Sequence, residues 1–312
     1  MKRYIIGFSV VGAVIALLLA FFFTRPAAAP TYSVAKKPLS VPAHTNTPAL
    51  SHIFVIMEEN NPIGNILSNS AAPYLNSLIN KYALATNYWG VTHPSLPNYL
   101  ALTSGSTDGI TTDCNPPGAG CVVNVTNLAD ELEKAGLSWK EYAESMPSSC
   151  YVLNSGLYAT KHNPFIYYGD IINNPTRCSD HVVQYSQLSS DLSRPSTTPN
   201  FAFITPNLCN DMHDCPVSTG DAWLAREVPK IISSNGLRGS NWLIVITWDE
   251  GNSVDNHIAA IFIGPTVKNG FRTNTYYNHY SLLRTIENNW RLPALTANDK
   301  SATPINDIFK NS

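Results

Sequence analysis

The sequence predicts an α/β fold, with a central, mostly parallel sheet and helices on both faces. Three observations predict it. Short runs at 51–57, 84–91, 200–205, 241–247 and 257–263 are apolar without alternation, as strands covered on both faces are. Segments with helical spacing stand between them. Polar side chains collect just after the runs end, at the edge where open parallel sheets bind ligands.

The elements follow in order. Lys2 and Arg3 precede an apolar stretch over 4–23, and Arg25 leads into Pro26-Ala27-Ala28-Ala29-Pro30. This is an export signal, removed or kept as an anchor, so 1–29 is set apart from the fold and membrane attachment through 4–23 stays open. Residues 30–50, rich in Pro, Ala and Thr, read as a linker. The domain then spans 51–312. The strand at 51–57 ends abruptly in Glu58-Glu59-Asn60-Asn61-Pro62. A helix over 72–82 puts Leu75, Leu78 and Ile79 on one face, and the 84–91 strand follows. A second helix begins near Ser95, with Pro97 in its first turn, where a missing N–H costs nothing. The segment 103–122 is a loop, 127–135 an amphipathic helix stopped by Gly136, and 137–143 a strand. Residues 145–199 read as a long irregular excursion over one face. The strand at 200–205 leads into a clipped loop over 206–217 and a helix over 221–233. The strand at 241–247 runs into Trp248-Asp249-Glu250-Gly251, 257–263 is a further strand, and 278–290 a closing helix.

Composition narrows the function. The 312 residues carry a net charge of −2 and show no Lys/Arg cluster, which argues against a nucleic-acid partner. Cys114, Cys121, Cys150, Cys178, Cys209 and Cys215 all follow the export signal. An even number in an oxidising compartment implies three disulfides, and proximity favours 114–121, 150–178 and 209–215, although other pairings are arithmetically open. A structural zinc site is the weaker rival, since no Cys-x2-Cys pair exists.

The candidate chemistry lies after the strands. Ser95 sits where a strand gives way to a helix, so its hydroxyl faces unpaired N–H groups and the positive end of a helix dipole. Alone it would be a helix cap. Its company argues for more: Glu59 and Asn60 after the first strand, His93 beside it, Asn207, Asn210, Asp211 and His213 after another, Asp249 and Glu250 after the next. Two acidic clusters meeting at one edge suit a hard cation with oxygen ligands. Glu58 reads as a loop carboxylate. His257 divides evenly between structure and site, His279 reads as structural, and His44, His52, His162 and His181 as solvent or loop residues.

The runs VIMEEN, THPSLPNYLALTSG, NDMHD, GDAWL, TWDEG and NHYSLLRTIE occur in this order. Together they resemble the bacterial phosphoesterase family of secreted acid phosphatases and phospholipases C, nearest to its phosphoinositide-hydrolysing secreted phosphatases. The resemblance covers about 51–310 and implies an alkaline-phosphatase-like fold. The turn Ser95-Leu96-Pro97-Asn98 also resembles the nucleophile turn of nucleotide pyrophosphatases, where Thr replaces Ser. The resemblance implies Ser95 as nucleophile through a phosphoserine, His213 binding the phosphate or protonating the leaving oxygen, and His93 and Asn98 lining the phosphate pocket. It implies Glu59, Asn60, Asp249 and Glu250 as ligands. Histidine ligands are few and Glu250 stands where many relatives have Asp, so one divalent cation of open identity is expected. The expected activity is a secreted phosphomonoesterase acting on small-molecule phosphate monoesters or phosphoinositide-type lipids. The alternatives are a phospholipase C-type diesterase and a non-catalytic phosphate-binding surface protein.

Overall fold

The computed structural model describes residues 48–118, 120–252 and 254–310. The expected signal or anchor at 1–29, and the linker over 30–50 up to residue 47, lie outside the described residues. Among the described residues no helix is long and apolar enough to cross a membrane.

The strands are β1 (His52–Glu58), β2 (Ala83–Trp89), β3 (Trp139–Ala143), β4 (Val182–Gln184), β5 (Phe201–Thr205), β6 (Trp242–Trp248), β7 (His257–Ile263), β8 (Arg272–Thr273) and β9 (Tyr277–Asn278). They form one sheet in the order β4-β3-β5-β1-β6-β7-β2-β8, with β9 also paired to β2. All pairings are parallel except those of β7, which runs against both β6 and β2. The expected mostly parallel sheet is therefore present, with one reversed strand. The reason is the connection: 249–256 is too short for a crossover, so the chain can only turn back.

Strand β1 is central, and every one of its residues is buried, so its apolar run needs no alternation. A cut such as Ile56→Ala there would cost about 3 kcal/mol. Packed around the sheet are α1 (Pro73–Lys81), α2 (Ser95–Ser104), α3 (Leu128–Lys134), α4 (Gly169–Ile172), α5 (Pro175–His181), α6 (Leu188–Asp191), α7 (Val217–Ile232), α8 (His279–Trp290) and α9 (Ala297–Ser301). Helix α2 is buried along its whole length, and its polar side chains Ser95, Asn98, Thr103 and Ser104 are hydrogen-bonded within the fold.

Four expectations need correcting. Glu58 is the last residue of β1 and fully buried, not a loop carboxylate. The excursion over 145–199 contains α4, α5, the edge strand β4 and α6. His52 is buried, with Nδ1 2.8 Å from the Pro199 carbonyl. His162 is buried at the sheet edge rather than exposed in a loop. Cysteines pair as 114–121, 150–178 and 209–215, each closing a local segment.

Candidate active site

The site forms where β1, β5 and β6 end and α2 begins. Ser95 is the first residue of α2, and Pro94 takes the capping position without a side-chain hydrogen bond. The Ser95 hydroxyl thus caps nothing. It is 1% exposed and donates to Glu59 Oε2 at 3.0 Å. This hydroxyl at a helix start turns away from the free N–H groups toward a buried carboxylate.

The turn before Ser95 is held by Asn98. Its Oδ1 accepts from the Val91 and Thr92 amides at 2.8 and 3.0 Å, and its Nδ2 donates to the Thr92 and Pro94 carbonyls. Both ends of this buried amide serve the turn, so Asn98 shapes the place where Ser95 stands. Asn256 couples the turn to the loop after β6: Nδ2 donates to the Thr92 carbonyl, and Oδ1 accepts from the Gly251 amide. A Cβ on Gly90 would lie 2.5 Å from Asn256 Oδ1, and one on Gly251 1.8 Å from the Asp255 carbonyl. Glycine at both positions lets the two loops close on each other.

Glu59 is the hub. Beside Ser95, it accepts from the Tyr99 hydroxyl at 2.5 Å, and its Oε1 lies 3.1 Å from His162 Nε2. Burial alone would raise its pKa, but His162, Lys161 and the Tyr99 hydrogen bond hold it down at about 2. His162 in turn has Nδ1 3.1 Å from Asp211 Oδ2. Burial opposes its charge, yet the two carboxylates raise it to about 9, so the ring is an imidazolium clamped between acids. These are ion-pair distances without aligned hydrogen bonds, since His162 Nε2 and Asp211 Oδ2 both lack a hydrogen-bond partner. Asp211 also accepts the His213 amide at 2.8 Å, while its carbonyl receives the Glu59 amide at 2.8 Å.

Asp249 and Glu250 complete the edge. The Asn60 amide donates to Asp249 Oδ1 at 3.2 Å, which joins the ends of β1 and β6. Asn60 makes that turn at φ 53°, a conformation asparagine tolerates better than most residues. Asp249 is fully buried, and its Oδ2 has no partner. Burial, then Glu59 and Glu250, push its pKa well up; burial, then Glu59 and Asp113, raise Glu250 to about 8. Glu250 Oε2 meets His93 Nδ1 at 2.6 Å, on the exposed side of the cluster. His279 Nε2 donates to the Asp249 carbonyl at 2.6 Å, and burial lowers its pKa to about 4. That ring is a structural strut, as the sequence suggested. His257 stacks on Trp89 and donates Nε2–H to the Thr86 carbonyl at 2.7 Å.

His213 sits on the loop closed by Cys209–Cys215. Its Nδ1 is 2.6 Å from Asp214 Oδ1 and its Nε2 3.1 Å from Lys161 Nζ. Because ammonium only donates, Nε2 is assigned as the acceptor and Nδ1 as the protonated nitrogen. Lys161 also lies 3.3 Å from Asp113 Oδ2, and Asp113 Oδ1 accepts the Leu96 amide at 3.2 Å.

Two donor sets could hold a cation, and both use Glu59. Donor atoms of Glu59, His162 and His213 lie within 4.8 Å of one another. Glu59, Asp249 and Glu250 are the alternative, joined by the Asn60 turn. Their mutual repulsion and the orphaned Asp249 oxygen fit a positive charge among them. Of the eight site residues expected from sequence, Ser95, Glu59, Asn60, Asp249, Glu250 and His93 come together through direct contacts, His213 joins through Lys161 and Asp211, and Asn98 underlies the turn. His162, Lys161, Asp113 and Tyr99 were not anticipated as site residues, and Asp211 was expected at this edge without a role. Lys161 and His162 follow no strand. Only the Cys150–Cys178 clip hinted that this stretch is held against the sheet.

Residues 64–293 match the phosphoesterase family. The chain is 36% identical over 264 residues to a phosphatidylinositol-3-phosphatase of Mycobacterium tuberculosis, covering 84% of each. It is 31% identical over 279 residues to a probable acid phosphatase of Kluyveromyces lactis, covering 85% of this chain and 63% of that one. In structure it is similar to a protein in the alkaline phosphatase superfamily from Vibrio parahaemolyticus, with a TM-score of 0.60 at 13% identity, covering 81% of this chain and 69% of that one.

Proposed function

The chain belongs to the phosphoesterase family, and from that premise we propose that it is a phosphatase that passes the phosphoryl group of a phosphate monoester to Ser95 and then to water. The observation that carries the reading is the Ser95 hydroxyl, which donates to Glu59 and leaves the helix N–H groups alone. In the first step Ser95 Oγ bonds to phosphorus as the bond to the alcohol oxygen breaks. The Ser95 proton, already directed at Glu59 Oε2, passes on to water, since Glu59 is too weak a base to keep it. The departing oxygen takes its proton from His213 acting as the acid, once Lys161 no longer occupies that ring's Nε2. Water then attacks the phosphoserine, which releases inorganic phosphate and restores the hydroxyl.

The donor set fits one divalent cation, with Glu59, Asn60, Asp249 and Glu250 as its ligands. Such an ion supplies a lower pKa at the serine hydroxyl and neutralises charge on the phosphoryl oxygens. His162 is the internal counter-ion: both ring nitrogens face carboxylates, so it orients Glu59 and Asp211 instead of ligating. His93, held by Glu250 on the exposed side, is placed to contact the incoming ester.

Three disulfides suit an oxidising, extracytoplasmic compartment, in keeping with export through residues 1–29. Phosphoinositides are candidate substrates because the mycobacterial relative is a phosphatidylinositol-3-phosphatase. Leu153 and Leu157, both exposed on the loop leading to Lys161, favour a lipid ester as well. The test is turnover of p-nitrophenyl phosphate by the wild type and by Ser95→Ala, with and without chelator. Loss of turnover on substitution and on chelation supports the reading, whereas a Ser95→Ala protein as active as wild type refutes it.

A further inference from the structure

We propose that Lys161 selects phosphate monoesters over diesters by pairing with the second negative charge that only a monoester carries, and that Asp113 holds it in place. This rests on the reading of Ser95 as nucleophile and deepens it.

Lys161 is built in. The preceding Thr160 is fixed by its amide to Asn154 Oδ1 at 2.9 Å and by its hydroxyl to Asn115 Oδ1 at 2.7 Å. The following His162 has its carbonyl held by Thr205 Oγ1 at 2.9 Å. The residue is only 9% exposed, unusual for a lysine, and it stays charged. Burial opposes that charge, but Glu59, Asp113 and Asp249 together outweigh it.

The geometry gives the ammonium a task. Asp113 spans two donors: its Oδ1 takes the Leu96 amide at 3.2 Å and its Oδ2 takes Lys161 Nζ at 3.3 Å. The Leu96 amide is the one next to Ser95. The ammonium and the nucleophile's own helix end are therefore one O–C–O bridge apart, the span of O–P–O in a phosphoryl group. With Asp113 kept on both donors and His213 on a second ammonium hydrogen, the third hydrogen of Lys161 is left for a phosphoryl group at Ser95. Lys161 also donates to His213 Nε2 at 3.1 Å, so its charge borders the leaving-group side. The plainer role, a counter-ion for Asp113 alone, would not need a lysine this deep, because Asp113 is itself partly exposed.

A monoester dianion gains from this cation; a diester monoanion, already neutralised elsewhere, gains less. The test uses the full chain with its metal, as wild type, Lys161→Met, Asp113→Asn and Ser95→Ala. Substrates are p-nitrophenyl phosphate and methyl p-nitrophenyl phosphate, which share a leaving group, and inorganic phosphate serves as competitive inhibitor. Lys161→Met is expected to lower monoester kcat/KM by about 100-fold and diester kcat/KM by less than about 5-fold, and to weaken phosphate inhibition by about 10-fold. Equal losses on both esters, or unchanged phosphate inhibition, overturn the proposal. If Lys161→Met does not fold, the loop variant Asp113→Asn decides. A monoester-to-diester ratio lowered by about 5-fold supports the proposal, and a ratio unchanged or raised overturns it. Ser95→Ala separates the two readings. If it keeps monoester turnover, the nucleophile reading fails; if it is dead while Lys161→Met loses both esters alike, only the Lys161 inference fails.

Discussion

Two clusters of buried acids stand at the two ends of α2, and they are built differently. At its start, Glu59 meets Ser95, and Asp211, Asp249 and Glu250 gather around Glu59. At its end, Gly105 has its carbonyl held by Thr296 and Asn298, beside the buried pair Glu287 and Asp299. In the second cluster every carboxylate oxygen finds a partner. Glu287 takes Arg284 at 3.2 Å and the Leu295 amide at 3.3 Å, and Asp299 takes the Leu295 and Thr296 amides at 2.8 Å each. In the first, Asp249 Oδ2 and both oxygens of Glu58, the residue before Glu59, have none, and Asp211 Oδ2 has only its unaligned ion pair with His162. Burial is common to both, so burial alone does not mark a site. What sets the first cluster apart is unpaired acid oxygen gathered at converging strand ends, an arrangement that a bound positive charge would relieve.

The comparison can be broken by substitution. The largest effect is expected from Ser95→Ala: kcat on p-nitrophenyl phosphate falls by about 1,000-fold or more, with the melting temperature within about 2 °C of wild type. Asp249→Asn comes next. Activity drops by about 100-fold, yet the metal-free protein becomes more stable by about 1 kcal/mol in a denaturant titration, because one of the repelling buried charges is gone. A destabilised Asp249→Asn would mean that this carboxylate is paired after all.

Removing the clip over the His213 loop, as Cys209→Ser with Cys215→Ser, is expected to cost about 2 kcal/mol and about 10-fold in kcat, read by thermal melts and steady-state kinetics. The smallest effect lies at the far end of α2. Glu287 is raised to about 8 by burial and by Asp299, above its ordinary value of 4.5. The folded protein therefore holds this proton more tightly than the unfolded chain. The stability it contributes is full below about pH 4.5 and is lost as pH rises through 8. Glu287→Gln should leave kcat unchanged and raise the melting temperature by about 3 °C at pH 8.5, with little change at pH 5. A loss of activity there would blur the distinction between the two ends.

Much of this was legible from sequence where local rules suffice. The unbroken apolar runs gave β1, β5, β6 and β7 within a residue or two, since strands buried on both faces need no other signal. Glu59 and Asp249 could be placed at this edge because they follow strands directly, and Ser95 because it opens a helix. What could not be read depends on contacts between distant segments. Glu58 looked like a loop acid because nothing local says that β1 continues one residue further into the interior. His162 looked like a solvent residue because its burial comes from Glu59 and Asp211, 103 and 49 positions away in the chain. The reversal of β7 needed the length of a loop to be weighed against the span of a crossover. Asn98 was expected in the phosphate pocket, and its hydrogen bonds to the turn emerge only from the folded backbone.

The central claim is that Ser95 carries the phosphoryl group. The direct measurement is rapid acid quenching of the metal-loaded enzyme during turnover of p-nitrophenyl phosphate, followed by peptide mapping. A phosphorylated peptide with the phosphate on Ser95, absent from Ser95→Ala, is the predicted result. Full turnover with no phosphoenzyme at any quench time, or phosphate on another residue, would contradict the account.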